Sequence, residues 1–201
     1  MSNEGINQTR RRVLTGATCV VGAVGVVGAA VPFVGSWQPN AKAKAAGAPV
    51  KVDIGKIRPG EMITEAWRGR PIYILRRTQE ALAMLSKLED RLLDPQSEEV
   101  QQPEYVDPKN RAIKEEYLIL VGLCTHLGCA PTYRPEVGAT DLNRAGEEWL
   151  GGFFCACHGS RFDLAGRVFK GVPAPLNLVV PPHSYESDSV VVVGIDEGEN
   201  A

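Results

Sequence analysis

Four of the five cysteines and two of the three histidines fall in two short blocks of the chain. The first block is Cys124-Thr-His126-Leu-Gly-Cys129, and the second is Cys155-Ala-Cys157-His158-Gly-Ser160. Thiolate sulfur and imidazole nitrogen are the side-chain ligands that transition metals prefer in proteins. Because both blocks combine one such pair with a further cysteine, the pattern predicts a metal centre held by two thiolates and two imidazoles.

Three other interpretations of the blocks compete with one another. A structural zinc site usually takes its ligands as like pairs, whereas each block mixes a thiol with an imidazole. Two disulfides without a metal would leave the paired histidines unexplained, and a Cys–His nucleophile would leave the duplication unexplained. The mixed set is typical of a Rieske-type 2Fe-2S cluster, in which two histidines replace two cysteines on one iron.

Short strands must position the blocks. Apolar runs separated by Gly, Pro and Asp follow one another through residues 50–195, and their spacing predicts a mainly β fold, an antiparallel sandwich or barrel. The predicted strands are Val50–Ile54, Pro71–Leu75, Tyr117–Val121, Trp149–Phe154, Arg167–Phe169, His183–Tyr185 and Val190–Ile195. His183, which has no cysteine partner, is interpreted as a structural residue.

A helix and a long loop interrupt the strands. Thr78–Leu93 has the apolar period of an amphipathic helix, and Asp94-Pro95 ends it. The polar stretch 96–116 is interpreted as a surface loop. The charged pairs Arg76-Arg77 and Glu98-Glu99 are interpreted as solvated surface.

The N-terminal segment carries an export signal and a membrane anchor. Thr9-Arg10-Arg11-Arg12-Val13-Leu14 is a twin-arginine signature. Residues 13–37 lack charged side chains and would span about 37 Å as a helix, more than the roughly 30 Å hydrocarbon core. The arginines place residues 1–12 in the cytoplasm. A cleaved signal peptide is the alternative, because residues 41–45 resemble a small-residue cleavage site.

The remaining organisation follows from composition. Residues 38–49 hold no large apolar side chain and predict a flexible hinge, after which residues 50–201 form the head. Residues 1–48 carry a net charge of +4, which leaves −6 for the rest of a chain whose total is −2. An acidic head has no basic surface for nucleic acid. A hydrophobic fraction of 44% excludes a wholly disordered chain.

The chain resembles the Rieske iron–sulfur subunit of the cytochrome bc complex, of proteobacterial type. The likeness covers the twin-arginine anchor, the small-residue hinge, both blocks and Gly171-Val-Pro-Ala-Pro-Leu-Asn-Leu178. It implies one 2Fe-2S cluster in a cluster-binding subdomain at about residues 122–178. The helix–loop insertion before the first block is typical of the proteobacterial members.

The resemblance also assigns roles to single residues. It implies that Cys124 and Cys155 bind one iron, that His126 and His158 bind the other, and that Cys129 and Cys157 form a disulfide. Ser160 matches a serine whose hydroxyl bonds a bridging sulfide. The cover of the cluster is assigned to Leu127, Gly128, Pro173 and Pro175.

Two positions depart from the family pattern. Phe162 stands where respiratory members commonly have a tyrosine that bonds a ligand sulfur, and the lost donor predicts a lower reduction potential. Ala156 replaces a usual proline, which predicts a less rigid turn between Cys155 and Cys157.

The resemblance implies a catalytic subunit of a quinol–cytochrome c oxidoreductase. Such a subunit takes an electron and a proton from ubiquinol at His158, with His126 as the other exposed ligand. The electron passes to cytochrome c1, while cytochrome b takes the second one, in a complex expected to be dimeric. The head is expected in the periplasm, on a single-pass anchor in the inner membrane. Alternatives from other classes are the small Rieske subunit of an arsenite-oxidase-like molybdenum enzyme, a soluble Rieske ferredoxin and a zinc-clamped non-redox domain.

Overall fold

The structure, a computed structural model of the 201-residue chain, describes residues 5, 7–143 and 147–196, with the side chains of residues 42, 45 and 46 left out. The predicted segments 1–12 and 50–201 therefore lie partly outside the described residues. Two compact units make up the chain, residues 1–45 and residues 46–201. The division falls within the predicted hinge 38–49, whose flexibility stays a prediction.

The first unit is helical. Helix α1 runs from Gln8 to Ser36, and the side chain of Asn7 caps it by accepting a hydrogen bond from the Arg10 amide. Its 29 residues are about 44 Å long, and none of them is buried within the unit. A short second helix, α2, covers Ala41–Ala46. An apolar helix of this length is suited to cross a bilayer.

The second unit is mainly β, as the sequence predicts. Its described residues form three antiparallel sheets of three strands each, in the orders β1-β9-β8, β2-β3-β4 and β5-β6-β7. The nine strands are β1 (Val50–Asp53), β2 (Met62–Trp67), β3 (Arg70–Arg76), β4 (Tyr117–Val121), β5 (Thr132–Arg134), β6 (Gly152–Cys155), β7 (Ser160–Phe162), β8 (His183–Ser187) and β9 (Val190–Val193). Helix α3 (Gln79–Leu85) continues as a 3₁₀ helix over Ser86–Arg91.

The apolar runs of the sequence become the core. Strand β4 is buried at all five positions, and its side chains divide between two clusters. Leu118 and Leu120 pack with Cys124, Cys155 and Phe162, whereas Tyr117, Ile119 and Val121 pack with strands β1 and β9. The first cluster therefore connects the sheet β2-β3-β4 directly to the two cysteine blocks.

The predicted strand Arg167–Phe169 is wrong. This segment makes only isolated bridges, from Val168 to Phe162 and from Phe169 to Leu92. Side chains occupy the amides that a strand would pair, since Asp163 accepts from the Arg167 amide at 2.8 Å and Asn177 accepts from the Val168 amide at 2.8 Å. Strands β2, β5 and β7 are absent from the prediction because they are short or interrupted by polar residues.

The helix prediction holds only in part. Thr78 is its N-cap and accepts from the Ala81 amide, but α-helical geometry ends at Leu85. The surface interpretation of Arg77 is wrong, because this side chain is only 2% exposed. Arg111, within the stretch interpreted as a surface loop, is completely buried. Both guanidinium groups donate to backbone carbonyls from distant segments, which replace the water that they lose.

Candidate metal centre

The second cysteine block is the turn of a β-hairpin. Cys155 ends β6 and lies opposite Ser160, the first residue of β7. Between them the chain turns through four residues, closed by a hydrogen bond from the Gly159 amide to the Cys155 carbonyl at 2.9 Å. Gly159 has φ +78°, a conformation that costs a glycine little. The hairpin thus presents Cys157 and His158 at its tip.

The first block forms a similar turn, but the strands on its two sides, β4 and β5, belong to different sheets. It follows β4, and the Cys124 amide donates to the Cys129 carbonyl at 2.7 Å. The Gly128 amide donates to the Cys124 carbonyl at 2.9 Å, with Gly128 at φ +80°. In both blocks, a glycine four residues after the first cysteine closes the turn on that cysteine. The two blocks are therefore built alike.

A disulfide joins the two turns. Cys129 and Cys157 are bonded, with their Cα atoms 6.7 Å apart, which confirms the predicted pair. The rings of His126 and His158 lie 4.8 Å apart between centroids and almost perpendicular, at 88°. The remaining thiols, Cys124 and Cys155, are free and buried. The structure thus places the two imidazoles next to each other and the two free thiols next to each other.

The electrostatics of the thiols suit a cationic centre. Burial raises the pKa of the Cys155 thiol, and the neighbouring Cys124 side chain also raises it, while the backbone amides of Cys157 and His158 lower it. Without a cation the Cys155 thiol therefore favours its protonated form. A bound metal reverses this preference, because a coordinating thiol is deprotonated outright.

The two histidines differ in exposure. His158 is exposed, whereas His126 is half-buried. The Nδ1 atom of His126 is buried and has no hydrogen-bond partner among the described residues. A buried ring nitrogen without a partner is costly unless something binds it. Two free thiols, one orphaned imidazole nitrogen and a second imidazole beside it fit the donor set of a Rieske centre.

The segment 171–178, which we call the covering loop, is fastened to both blocks. The hydroxyl of Thr125 donates to the Leu176 carbonyl at 2.6 Å. The Ala174 amide donates to the hydroxyl oxygen of Ser160 at 3.1 Å, and Ser160 is fully buried. The Ser160 proton is therefore left for another acceptor. Sequence reasoning missed the role of Thr125, which follows a cysteine in the first block and gave no separate signal.

The predicted cover residues lie at the surface. Leu127 is 71% exposed, and Gly128, Pro173 and Pro175 are exposed as well. Their place over a cluster stays a prediction. The two departures from the family pattern differ in setting, because Phe162 is fully buried in the core around the thiols, whereas Ala156 is exposed.

Comparison with known protein families agrees with this geometry. Residues 93–182 match the Rieske [2Fe-2S] domain, and residues 1–40 match the TAT signal of the ubiquinol–cytochrome c reductase Fe-S subunit. The chain is 56% identical over 198 residues to the ubiquinol-cytochrome c reductase iron-sulfur subunit of Allochromatium vinosum, covering 98% of this chain and 94% of the relative. It belongs to the family of ubiquinol–cytochrome c reductase iron–sulfur subunits.

Other relatives carry the same name. The Bradyrhizobium diazoefficiens iron-sulfur subunit is 40% identical, over 92% of this chain and 94% of its own length. The Rhodospirillum rubrum subunit is 39% identical, over 96% of both chains. A solved chain of a hyperthermophilic respiratory complex III shares 25% identity with a TM-score of 0.47, covering 88% of this chain and 98% of its own.

Family membership settles the cofactor and the attachment. The cofactor of this iron–sulfur subunit is one Rieske-type 2Fe-2S cluster, and the apolar helix α1 anchors the chain to a membrane. The names of the relatives speak against the arsenite-oxidase-like and non-redox alternatives.

Proposed function

We propose that this chain takes one electron and one proton from ubiquinol and passes the electron to cytochrome c1, as a catalytic subunit of a quinol–cytochrome c reductase. The carrying observation is the pair of adjacent imidazoles, of which His158 is exposed. An exposed imidazole is open to a hydrogen bond from a quinol hydroxyl, and its nitrogen can hold the proton that leaves.

The proposed ligands are Cys124 and Cys155 for one iron, and His126 and His158 for the other. The cluster supplies one-electron redox chemistry at a potential raised by its histidine ligands. The disulfide between Cys129 and Cys157 keeps the two turns together. Ser160 directs its remaining proton towards the centre, which stabilises added negative charge there.

The location and partners are part of the same proposal. A twin-arginine signal in the first turns of α1 and a disulfide in the head support a periplasmic head on a single-pass anchor in the inner membrane. Cytochrome b would accept the second quinol electron and cytochrome c1 the first, in a dimeric complex. These partners are inferred from the family to which the chain belongs, whose members are named as subunits of a ubiquinol–cytochrome c reductase.

The segment between anchor and head has a role in this scheme. A head that serves two acceptors must move between them, and residues 38–49 are the proposed hinge. Although α2 covers Ala41–Ala46, six residues are too few for a stable isolated helix. We expect prolines at positions 43–46 to slow turnover while the cluster stays intact, and unchanged turnover would remove the need for motion.

Electron paramagnetic resonance of membranes that carry this chain tests the proposal. A rhombic signal with a mean g below 2 after ascorbate would support a high-potential centre that oxidises quinol. The same signal only after dithionite would instead indicate a ferredoxin-like centre. Membranes with His158→Ala are the matched control, since we expect both the signal and quinol oxidation to be lost. Intact, iron-replete protein without a signal would contradict the proposal.

A further inference from the structure

Among the described residues of the head, three guanidinium groups and one carboxylate are buried. Arg77, Arg111, Arg167 and Asp163 are each at most 2% exposed. Asp163 pairs with Arg167, whose Nη2 and Nε both lie 2.8 Å from the carboxylate oxygen Oδ2. Arg77 and Arg111 donate instead to neutral oxygens. Burial lowers the pKa of Arg111 to about 10, so that it remains charged at neutral pH.

Arg111 connects two segments that are far apart in sequence. Its Nη1 donates to the carbonyls of Ala165 and Gly166, both at 3.2 Å, and its Nη2 donates to the Leu178 carbonyl at 2.6 Å. Gln102 accepts from Nε at 3.0 Å and fixes the plane of the group. The guanidinium fork thus joins the turn after β7 to the end of the covering loop.

The backbone of Arg111 adopts an unfavourable conformation that the surrounding structure must stabilise. Its φ is +51°, in the left-handed region that disfavours any residue with a Cβ atom. Such a conformation persists where the surroundings determine it, often at functional sites. The Arg111 amide donates to the Asp107 carbonyl at 2.8 Å, which holds the turn that delivers the side chain.

The covering loop transmits this constraint to the metal centre. The Leu178 amide donates to the Gly166 carbonyl at 2.8 Å, next to the Arg111 contacts. Four residues earlier, the Ala174 amide donates to the Ser160 hydroxyl oxygen. Because that bond occupies an acceptor position of the hydroxyl, it restricts the direction in which Ser160 can donate its own proton.

We propose that Arg111 is a positioning residue for Ser160, acting through the covering loop between Leu178 and Ala174. This inference rests on the proposed role of Ser160 as a donor to the cluster. Without the guanidinium fork the loop would loosen at Leu178, the Ala174–Ser160 bond would weaken, and the reduced cluster would lose part of its stabilisation. Arg111 itself touches none of the proposed ligands in the hydrogen bonds of the described chain.

A double-mutant cycle on the midpoint potential tests the proposal. Membranes carrying Arg111→Gln, Ser160→Ala and the double variant are titrated with the resonance signal as readout. We expect each single variant to lower the midpoint potential by about 59 mV, which corresponds to a tenfold weaker preference for the reduced form. The double variant should match Ser160→Ala alone. An additive shift would overturn the proposal, because Arg111 would then act by its charge and independently of Ser160.

Hydrogen exchange of the purified full-length chain gives a second, cluster-independent readout. In Arg111→Lys, which keeps the charge but loses the fork, we expect the Ala174 and Leu178 amides to exchange at least tenfold faster. Arg58→Gln, at an exposed arginine, is the control that should leave them unchanged. Wild-type protection in Arg111→Lys would overturn the proposal. A wild-type chain without iron would instead contradict the proposed function, while the exchange result would still decide the loop contact.

Discussion

The two cysteine blocks and the buried charges around Asp163 are held in opposite ways. Each block closes on itself, with hydrogen bonds between residues four apart, such as Gly159 to Cys155. The buried arginines reach across the chain, so that Arg77 bonds the Leu164 carbonyl 87 residues away. The cysteine blocks are therefore shaped by contacts between residues close in sequence, whereas the buried arginines connect segments that are far apart in sequence.

Removing one thiol should have the largest effect on the blocks and little on the fold. We expect Cys155→Ser to abolish iron binding and the resonance signal, because serine is a poor ligand for iron–sulfur centres. The disulfide and β6–β7 pairing remain available to hold the turns. Iron analysis and far-UV circular dichroism measure the two effects, with Cys19→Ser as the control. Iron retained at the wild-type level would contradict the ligand assignment.

Removing the buried carboxylate should have the reverse outcome. Asp163→Asn leaves Arg167 without its charged partner, and breaking a buried pair in this way costs about 3–5 kcal/mol. We expect loss of stability across the whole head, measured by urea unfolding. The control is Asp188→Asn, whose carboxylate is fully exposed beside Lys114, so that its loss should leave the stability almost unchanged. Equal free energies of unfolding for the two variants would contradict the view that the buried pair stabilises the head more than the exposed pair does.

The difference between local turns and long-range contacts explains what the sequence could predict. The blocks were identifiable because rare residue types recur at short spacing, and buried strands such as Tyr117–Val121 are continuous apolar runs. Arg77 and Arg111 gave no such signal, because an arginine is ordinarily exposed and its backbone acceptors carry no residue type. The segment 167–169 resembles a strand until Asp163 and Asn177 occupy its amides.

Phe162 lies in sequence between the second cysteine block and Asp163, and so belongs to both regions of the comparison. It follows Ser160 in β7, precedes Asp163 and packs in the core cluster that contains Cys124 and Cys155. We expect Phe162→Tyr to raise the potential by about 60 mV if its hydroxyl bonds a ligand sulfur, which corresponds to ~1.4 kcal/mol. Redox titration measures the shift in potential. The control is Phe169→Tyr, because Phe169 belongs to a different hydrophobic core cluster. An unchanged or lower potential would contradict the interpretation of this departure.

His183 extends the comparison to one residue type in two settings. Unlike the histidines of the blocks, it is fully buried, with Nδ1 2.8 Å from the Pro181 carbonyl and Nε2 lacking a partner in the described part of the chain. Burial lowers its pKa, although the Pro181 carbonyl partly opposes this. The rings of Tyr105 and Tyr185 flank it, and Asp196 is bonded to the Tyr105 hydroxyl.

The smallest predicted effect follows from this lowered pKa. Below pH about 6.5 the unfolded chain binds a proton at His183 that the folded chain resists. The free energy of unfolding therefore decreases as the pH falls, by up to about 1.4 kcal/mol per pH unit. Above that pH the contribution is constant. We expect His183→Gln to remove this part of the slope in urea unfolding between pH 5 and 8. Measuring both proteins in the Cys155→Ser background excludes changes in cluster occupancy. Identical slopes would show that the buried imidazole accepts a proton without resistance and would contradict this prediction.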